Sequence, residues 1–193
     1  MALNKGFLVS SKTPEHQEMF TPYYVVEPIV KYIPKDKTIW CPFDKEWSAY
    51  YQTFVQNGYN VVRSHIDEGK DFFNYEPDEY DVVVSNPPYS IKDAIIERVY
   101  ELGKPFALLL PLDSLQGQRR YKCFKNGIQL LSFDCRAGFH RAWSMDKTIE
   151  GVPFASVYFC KDLLPKDLII EHLEKYDKRL NGKVVDSINE NSD

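Results

Sequence analysis

Two runs of this chain are apolar without interruption, Val82-Val83-Val84 and Phe106-Ala107-Leu108-Leu109-Leu110. A strand with one face in water alternates apolar and polar residues. A run with no polar member must be covered on both faces. Such strands belong to parallel sheets, whose crossovers lay helices over both sides. This predicts an α/β fold with a doubly wound, mostly parallel sheet.

The intervening segments read accordingly. Thr21-Pro22 opens a helix, with Thr21 as N-cap and Pro22 at the first helical position. Val25, Val26, Ile29, Val30 and Ile33 form its apolar face, and Pro28 is placed to kink it. Strands are expected over 38–41, 60–65 and 80–85. A helix over 48–57 stops at Gly58, and one over 91–102 stops at Gly103. Later strands are expected over 128–133 and 154–160, with a polar loop over 134–153 between them. A last helix is read over 163–173. The chain reads as one domain over 1–175, with an irregular lead-in and a polar tail over 176–193.

Bulk properties narrow the function. At 44% hydrophobic and 15% aromatic residues, the chain is not disordered. A net charge of −4 gives no global pull on a polyanion, so nucleic-acid contact must rest on local basic patches. Cys41, Cys123, Cys135 and Cys160 lack metal-ligand spacing, and read as free thiols with no metal. No apolar run approaches the roughly 18 residues of a membrane span, and no signal core opens the chain, so a cytoplasmic protein is expected.

The chemistry concentrates where the first apolar run ends, at Ser85-Asn86-Pro87-Pro88-Tyr89. In open α/β sheets, ligands bind beyond the carboxyl ends of strands. Two prolines fix φ twice and remove two N–H donors, leaving a stiff corner of acceptors. The Asn86 side-chain oxygen and the Pro87 carbonyl can accept from an aromatic amine, and Tyr89 can stack on its ring. Methyl transfer to that amine would place positive charge where the carbonyls already point.

Asn86-Pro87-Pro88-Tyr89 resembles the motif of the S-adenosylmethionine-dependent amino-methyltransferases, in particular the adenine-specific DNA enzymes. The resemblance runs in order over roughly residues 15 to 115, and extends to compact enzymes of bacteriophages and mobile elements. It implies a Rossmann-like class I methyltransferase fold, and catalytic roles for Asn86, Pro87, Pro88 and Tyr89. Phe20-Thr21-Pro22 matches an element that lies on the cofactor. Asp71 and Phe72 match an acidic-aromatic pair that meets the cofactor's adenine. Cys41-Pro42-Phe43-Asp44 stands where the family carries a glycine-rich loop, and contains no glycine. Asp44 is the candidate partner of the cofactor's ammonium group. His65 occupies the slot of a ribose-binding acid, with Asp67 as the alternative.

On the substrate side, Arg136, His140, Arg141 and Trp143 mix cationic and aromatic residues, as phosphate contact and base stacking require. Arg119 and Arg120 form a second basic group. The reading favoured is methyl transfer to the exocyclic amino group of adenine in nucleic acid, DNA over RNA. A target in duplex DNA must be flipped out. Little chain remains for a recognition region, so low specificity or a protein partner that supplies it is expected. Two alternatives stand: methylation of a protein glutamine amide, and a degenerate fold that only binds.

Overall fold

The computed structural model describes residues 19–142, 144–149 and 152–180. Its centre is a seven-stranded sheet. The strands are β2 (Thr38–Cys41), β3 (Asn60–Arg63), β4 (Val82–Ser85), β5 (Phe106–Pro111), β6 (Gln129–Phe133), β9 (Ser156–Lys161) and β10 (Leu168–Glu171). Their order is β10-β6-β9-β5-β4-β2-β3. All neighbours are parallel except at β9, which runs antiparallel to both β5 and β6.

The uninterrupted apolar strands behave as expected. Within β4, Val82 and Val84 enter one core and Val83 the other. The first core is covered by α1 (Tyr23–Val30) and α2 (Ala49–Gln56), the second by α3 (Lys92–Leu102) and α4 (Gln118–Phe124). The sheet is therefore doubly wound. The β3-to-β4 crossover contains no α-helix. Phe72 and Tyr80 from that connection pack on Trp40 and cover the second face instead.

Helix boundaries follow local chemistry. Ser48 caps α2 by accepting from the Tyr51 N–H. Gly103 ends α3 at φ 65°, a conformation that favours glycine. Pro28 lies inside α1.

Four expectations need correction. Pro22, not Thr21, is the N-cap of α1, and no side chain caps that helix. The segment read as a final helix forms β10. Pro165 breaks the helical run, and the Leu130 N–H pairs with the Asp167 carbonyl at its start. The segment read as a polar loop contains β7 (Phe139–Arg141) and β8 (Ser144–Ile149). They form a small antiparallel sheet with β1 (Met19–Phe20), in the order β1-β7-β8. Finally, packing continues past residue 175. Leu180 is buried and its N–H donates to the Met145 carbonyl, while Tyr176 donates to Glu27 on α1. The lead-in before Met19 and the tail beyond Leu180 lie outside the described residues. Among the described residues, no helix is long and apolar enough to cross a membrane.

Candidate active site

From β2 the chain moves outward to β3, then returns across β2 to β4 on its other side. The winding direction reverses there, and the loops leaving β2 and β4 part to form a crevice. Those two loops carry Pro42–Trp47 and Asn86–Tyr89. The Asn-Pro-Pro-Tyr corner therefore stands on the carboxyl rim of the sheet, at the reversal point.

Ser85, the fully buried last residue of β4, donates its hydroxyl to Asp44 Oδ2 at 2.5 Å. Asp44 is 6% exposed and also receives the Ser48 hydroxyl. Both hydrogen bonds favour the carboxylate, yet burial dominates and pushes its pKa up to about 6. Beneath it, the Tyr50 and Tyr158 hydroxyls lie 3.0 Å apart, and Tyr158 donates to the Val25 carbonyl at 3.1 Å. Burial and the neighbouring Asp44 charge raise both phenol pKa values well above the ordinary range.

Asn86 is partly buried, and its Oδ1 is sealed from solvent without a hydrogen-bond donor among the described residues. A buried acceptor left empty costs about 1–3 kcal/mol. Pro87 is buried, while Pro88 leads into a one-turn 3-10 helix over Tyr89–Ile91. The Tyr89 ring meets Phe154 edge-on at 5.5 Å, and its hydroxyl lies 3.4 Å from Ser156 Oγ. Burial raises the Tyr89 pKa, so the phenol is neutral.

The small sheet reaches over this rim. Phe20 in β1 packs edge-on against Trp47 at 4.8 Å. Phe139 in β7 lies 6.2 Å from Phe154, which touches Tyr89. The cover thus touches both loops. Thr21, just after β1, is buried and its Oγ1 has no partner among the described residues.

The other cofactor candidates are more occupied. Cys41 and Pro42 are buried. Phe43 packs on Phe72 at 4.9 Å, and Phe72 is buried against Trp40 at 5.4 Å. Asp71 accepts locally, from the Phe73 N–H at 3.1 Å and the Asn74 amide at 3.1 Å. His65 caps a 3-10 turn by accepting from the Asp67 N–H. Asp67 pairs with Lys45 at 2.6 Å, tying the β3 end to the first loop.

The basic residues do not form one patch. Arg119 pairs with Glu97 and Arg120 with Asp93, clamping α4 to α3. Arg120, expected at a substrate surface, is instead mostly buried and also donates to the Gln116 carbonyl. His140, expected to meet phosphate, is fully buried, with Nδ1 at 3.2 Å from the Ser144 carbonyl. Desolvation lowers its pKa, which favours the neutral ring. Arg136 is exposed, and Arg141 sits opposite Met19 in the small sheet. Trp143 lies outside the described residues.

Sequence reasoning missed Ser85, Ser48, Tyr50 and Tyr158 as members of the polar cluster. Ser85 carried a readable signal, a polar residue closing a wholly apolar strand. Among the described residues, no cluster of His, Cys, Asp and Glu could hold a metal ion.

No protein-family model matches the chain, and no curated protein matches it. Two solved structures are similar in fold. A dimethyladenosine transferase from Plasmodium falciparum is 13% identical, with a TM-score of 0.45 over 77% of this chain, which spans 64% of that protein. A candidate class I S-adenosylmethionine-dependent methyltransferase from Listeria monocytogenes is 14% identical, with a TM-score of 0.43 over 88% of this chain and 69% of its own. Likeness at this level carries no argument about chemistry.

Proposed function

We propose that the chain is an S-adenosylmethionine-dependent methyltransferase acting on the exocyclic amino group of adenine in nucleic acid, with DNA favoured. One observation carries the reading: the Asn86 carboxamide oxygen, buried at the rim on a proline-stiffened corner, has no donor among the described residues. An amino group would supply that donor.

The residues at hand also suit the cofactor. S-adenosylmethionine supplies a methyl group on a positively charged sulfur, together with an ammonium group. The Asp44 carboxylate, ionised above about pH 6, is a fitting partner for that ammonium. Thr21 Oγ1, buried just after β1 and without a partner among the described residues, offers another polar contact. Phe43, with Phe72 behind it, offers an apolar flank for an adenine ring.

Asn86 Oδ1 and the Pro87 carbonyl accept the two hydrogens of the target amine and orient its lone pair. As the nitrogen becomes positive, the same two dipoles stabilise it without reorganising, and one of its hydrogens then leaves as a proton to solvent. The neutral Tyr89 ring supplies a stacking face. No covalent enzyme intermediate is required.

The test is a calorimetric titration with S-adenosylmethionine, followed by labelled-methyl transfer to DNA, RNA and protein. Binding with transfer to adenine supports the reading. Transfer to protein alone, or no binding by the folded chain, overturns it. Asn86→Ala should abolish transfer while leaving the circular-dichroism spectrum unchanged. Undiminished turnover would remove Asn86 from the mechanism.

A further inference from the structure

Beside the corner, a strip of surface is apolar where stability gives it no reason to be. Ile91 is 45% exposed, Leu112 and Leu115 are each 43% exposed, and Tyr121 is 66% exposed. Single exposed apolar residues are ordinary, but a group of them beside a candidate site marks an interaction surface. Ile91 ends the turn that follows Pro88. Leu112 and Leu115 lie in the 3-10 turn that follows β5, the strand next to β4.

The strip is held together by Arg120. Its guanidinium binds Asp93, two residues beyond Ile91, and the Gln116 carbonyl, one residue beyond Leu115. Gly117 lies against the same guanidinium, and a Cβ there would stand 2.7 Å from it. The two turns are thereby fastened to each other and to the start of α4, which carries Tyr121.

The surrounding charge selects the occupant. Residues 112–133 contain four cations and one carboxylate, the exposed Asp113 between Leu112 and Leu115, in a chain of net charge −4. Arg119 and Arg120 are matched by Glu97 and Asp93. Lys122 and Lys125 remain exposed along α4 beyond Tyr121. An apolar strip flanked by cations suits bases on one side and phosphates on the other. Stacked duplex DNA hides its base faces, whereas a single strand presents them.

We propose that Ile91, Leu112, Leu115 and Tyr121, with Lys122 and Lys125, form a platform for single-stranded nucleic acid beside the target adenine. This deepens the methyltransferase reading and rests on it. The bases flanking the target lie on the apolar strip, and their phosphates run past the two lysines. The strip thereby selects strands already unpaired, and needs no sequence-reading domain.

The test is fluorescence anisotropy of the full chain with a 20-nucleotide oligo-dA, its duplex with oligo-dT, and oligo-rA, at several salt concentrations. Oligo-dA should bind more tightly than the duplex. Tyr121→Ala combined with Leu115→Ser should weaken binding at least tenfold. Lys122→Gln with Lys125→Gln should reduce the magnitude of the logarithmic salt slope by about 1.4, at about 0.7 per single-strand phosphate. Lys166→Gln, on the far side of the sheet, should change neither. Comparable duplex binding, or unchanged single-strand affinity in the Tyr121/Leu115 variant, overturns the platform. Labelled-methyl transfer by the unmodified chain and by both double variants is followed in parallel. Transfer to adenine without dependence on these residues sinks the platform alone, and absence of transfer sinks the methyltransferase reading. The oligo-rA arm shows which sugar the strip accepts.

Discussion

Ser85 donates its hydroxyl to the Asp44 carboxylate across 2.5 Å, joining the last residue of β4 to the loop after β2. The two elements that flank the crevice are therefore coupled through a buried carboxylate. Burial of that carboxylate outweighs the hydrogen bonds from Ser85 and Ser48 and holds its pKa near 6.

The raised pKa has a definite sign for stability. Between the ordinary carboxylate pKa and about 6, the folded chain holds a proton that the unfolded chain has released. The slope of unfolding free energy against pH is negative wherever the native state binds more protons. Asp44 should make the chain less stable as pH rises from about 4 to about 6. Asp44→Asn should remove that dependence and raise stability at pH 7.5 by about 1–3 kcal/mol. Thermal midpoints across pH 4 to 8 measure both effects, and a parallel fall in variant and parent would refute the assignment.

The same group should govern cofactor affinity in the opposite direction. An ammonium group binds the ionised carboxylate, so the S-adenosylmethionine dissociation constant should fall as pH rises through about 6. Calorimetry at pH 5.5 and 7.5 should show affinity about fourfold higher at the upper value. In Asp44→Asn the dependence should vanish together with most of the affinity.

Tyr158 tests the buried network in isolation. Its hydroxyl lies between Tyr50 and the Val25 carbonyl. Tyr158→Phe keeps the ring but leaves two buried polar groups without it, which costs about 1–3 kcal/mol. Urea unfolding should show that loss in the midpoint, with an unchanged slope.

The two arginines of α4 should differ sharply. Arg120 is mostly buried against Asp93 and the Gln116 carbonyl, so Arg120→Ala should destabilise by about 1–2 kcal/mol, a value discounted for the partial exposure of Asp93. Arg119 pairs with Glu97 in open solvent, and Arg119→Ala should leave the thermal midpoint unchanged. Equal effects would mean that the clamp is misassigned.

Much of this architecture is written in local patterns. Val82–Val84 and Phe106–Leu110 demanded cover on both faces, and Gly58 and Gly103 marked helix ends. The Pro87-Pro88 corner announced a stiff rim. What escaped was decided by distant partners. Leu168–Glu171 carries apolar residues at spacings that suit helix or strand, and pairing with β6 settled the choice. The β7–β8 hairpin is short, and its register is irregular between Phe139 and Arg141. Helix α4 was hidden in a basic run because its inward face is little more than Cys123 and Phe124. At the site, Asn86 and Asp44 stood out by residue type. The local ties of Asp71 and the burial of His140 depend on side-chain choices that spacing does not encode.

The antiparallel strand β9 imposes an order on assembly. Strands β5 and β6 never touch each other, since Ser156–Lys161 is wedged between them. During synthesis they must wait with facing raw edges, and Leu109 and Leu131 lack their shared neighbour Tyr158. Closure of the sheet is thus a late event, set by a strand made after both of its neighbours. A chain halted before Ser156 would be left with a split sheet, and its fate is aggregation rather than a smaller stable fold.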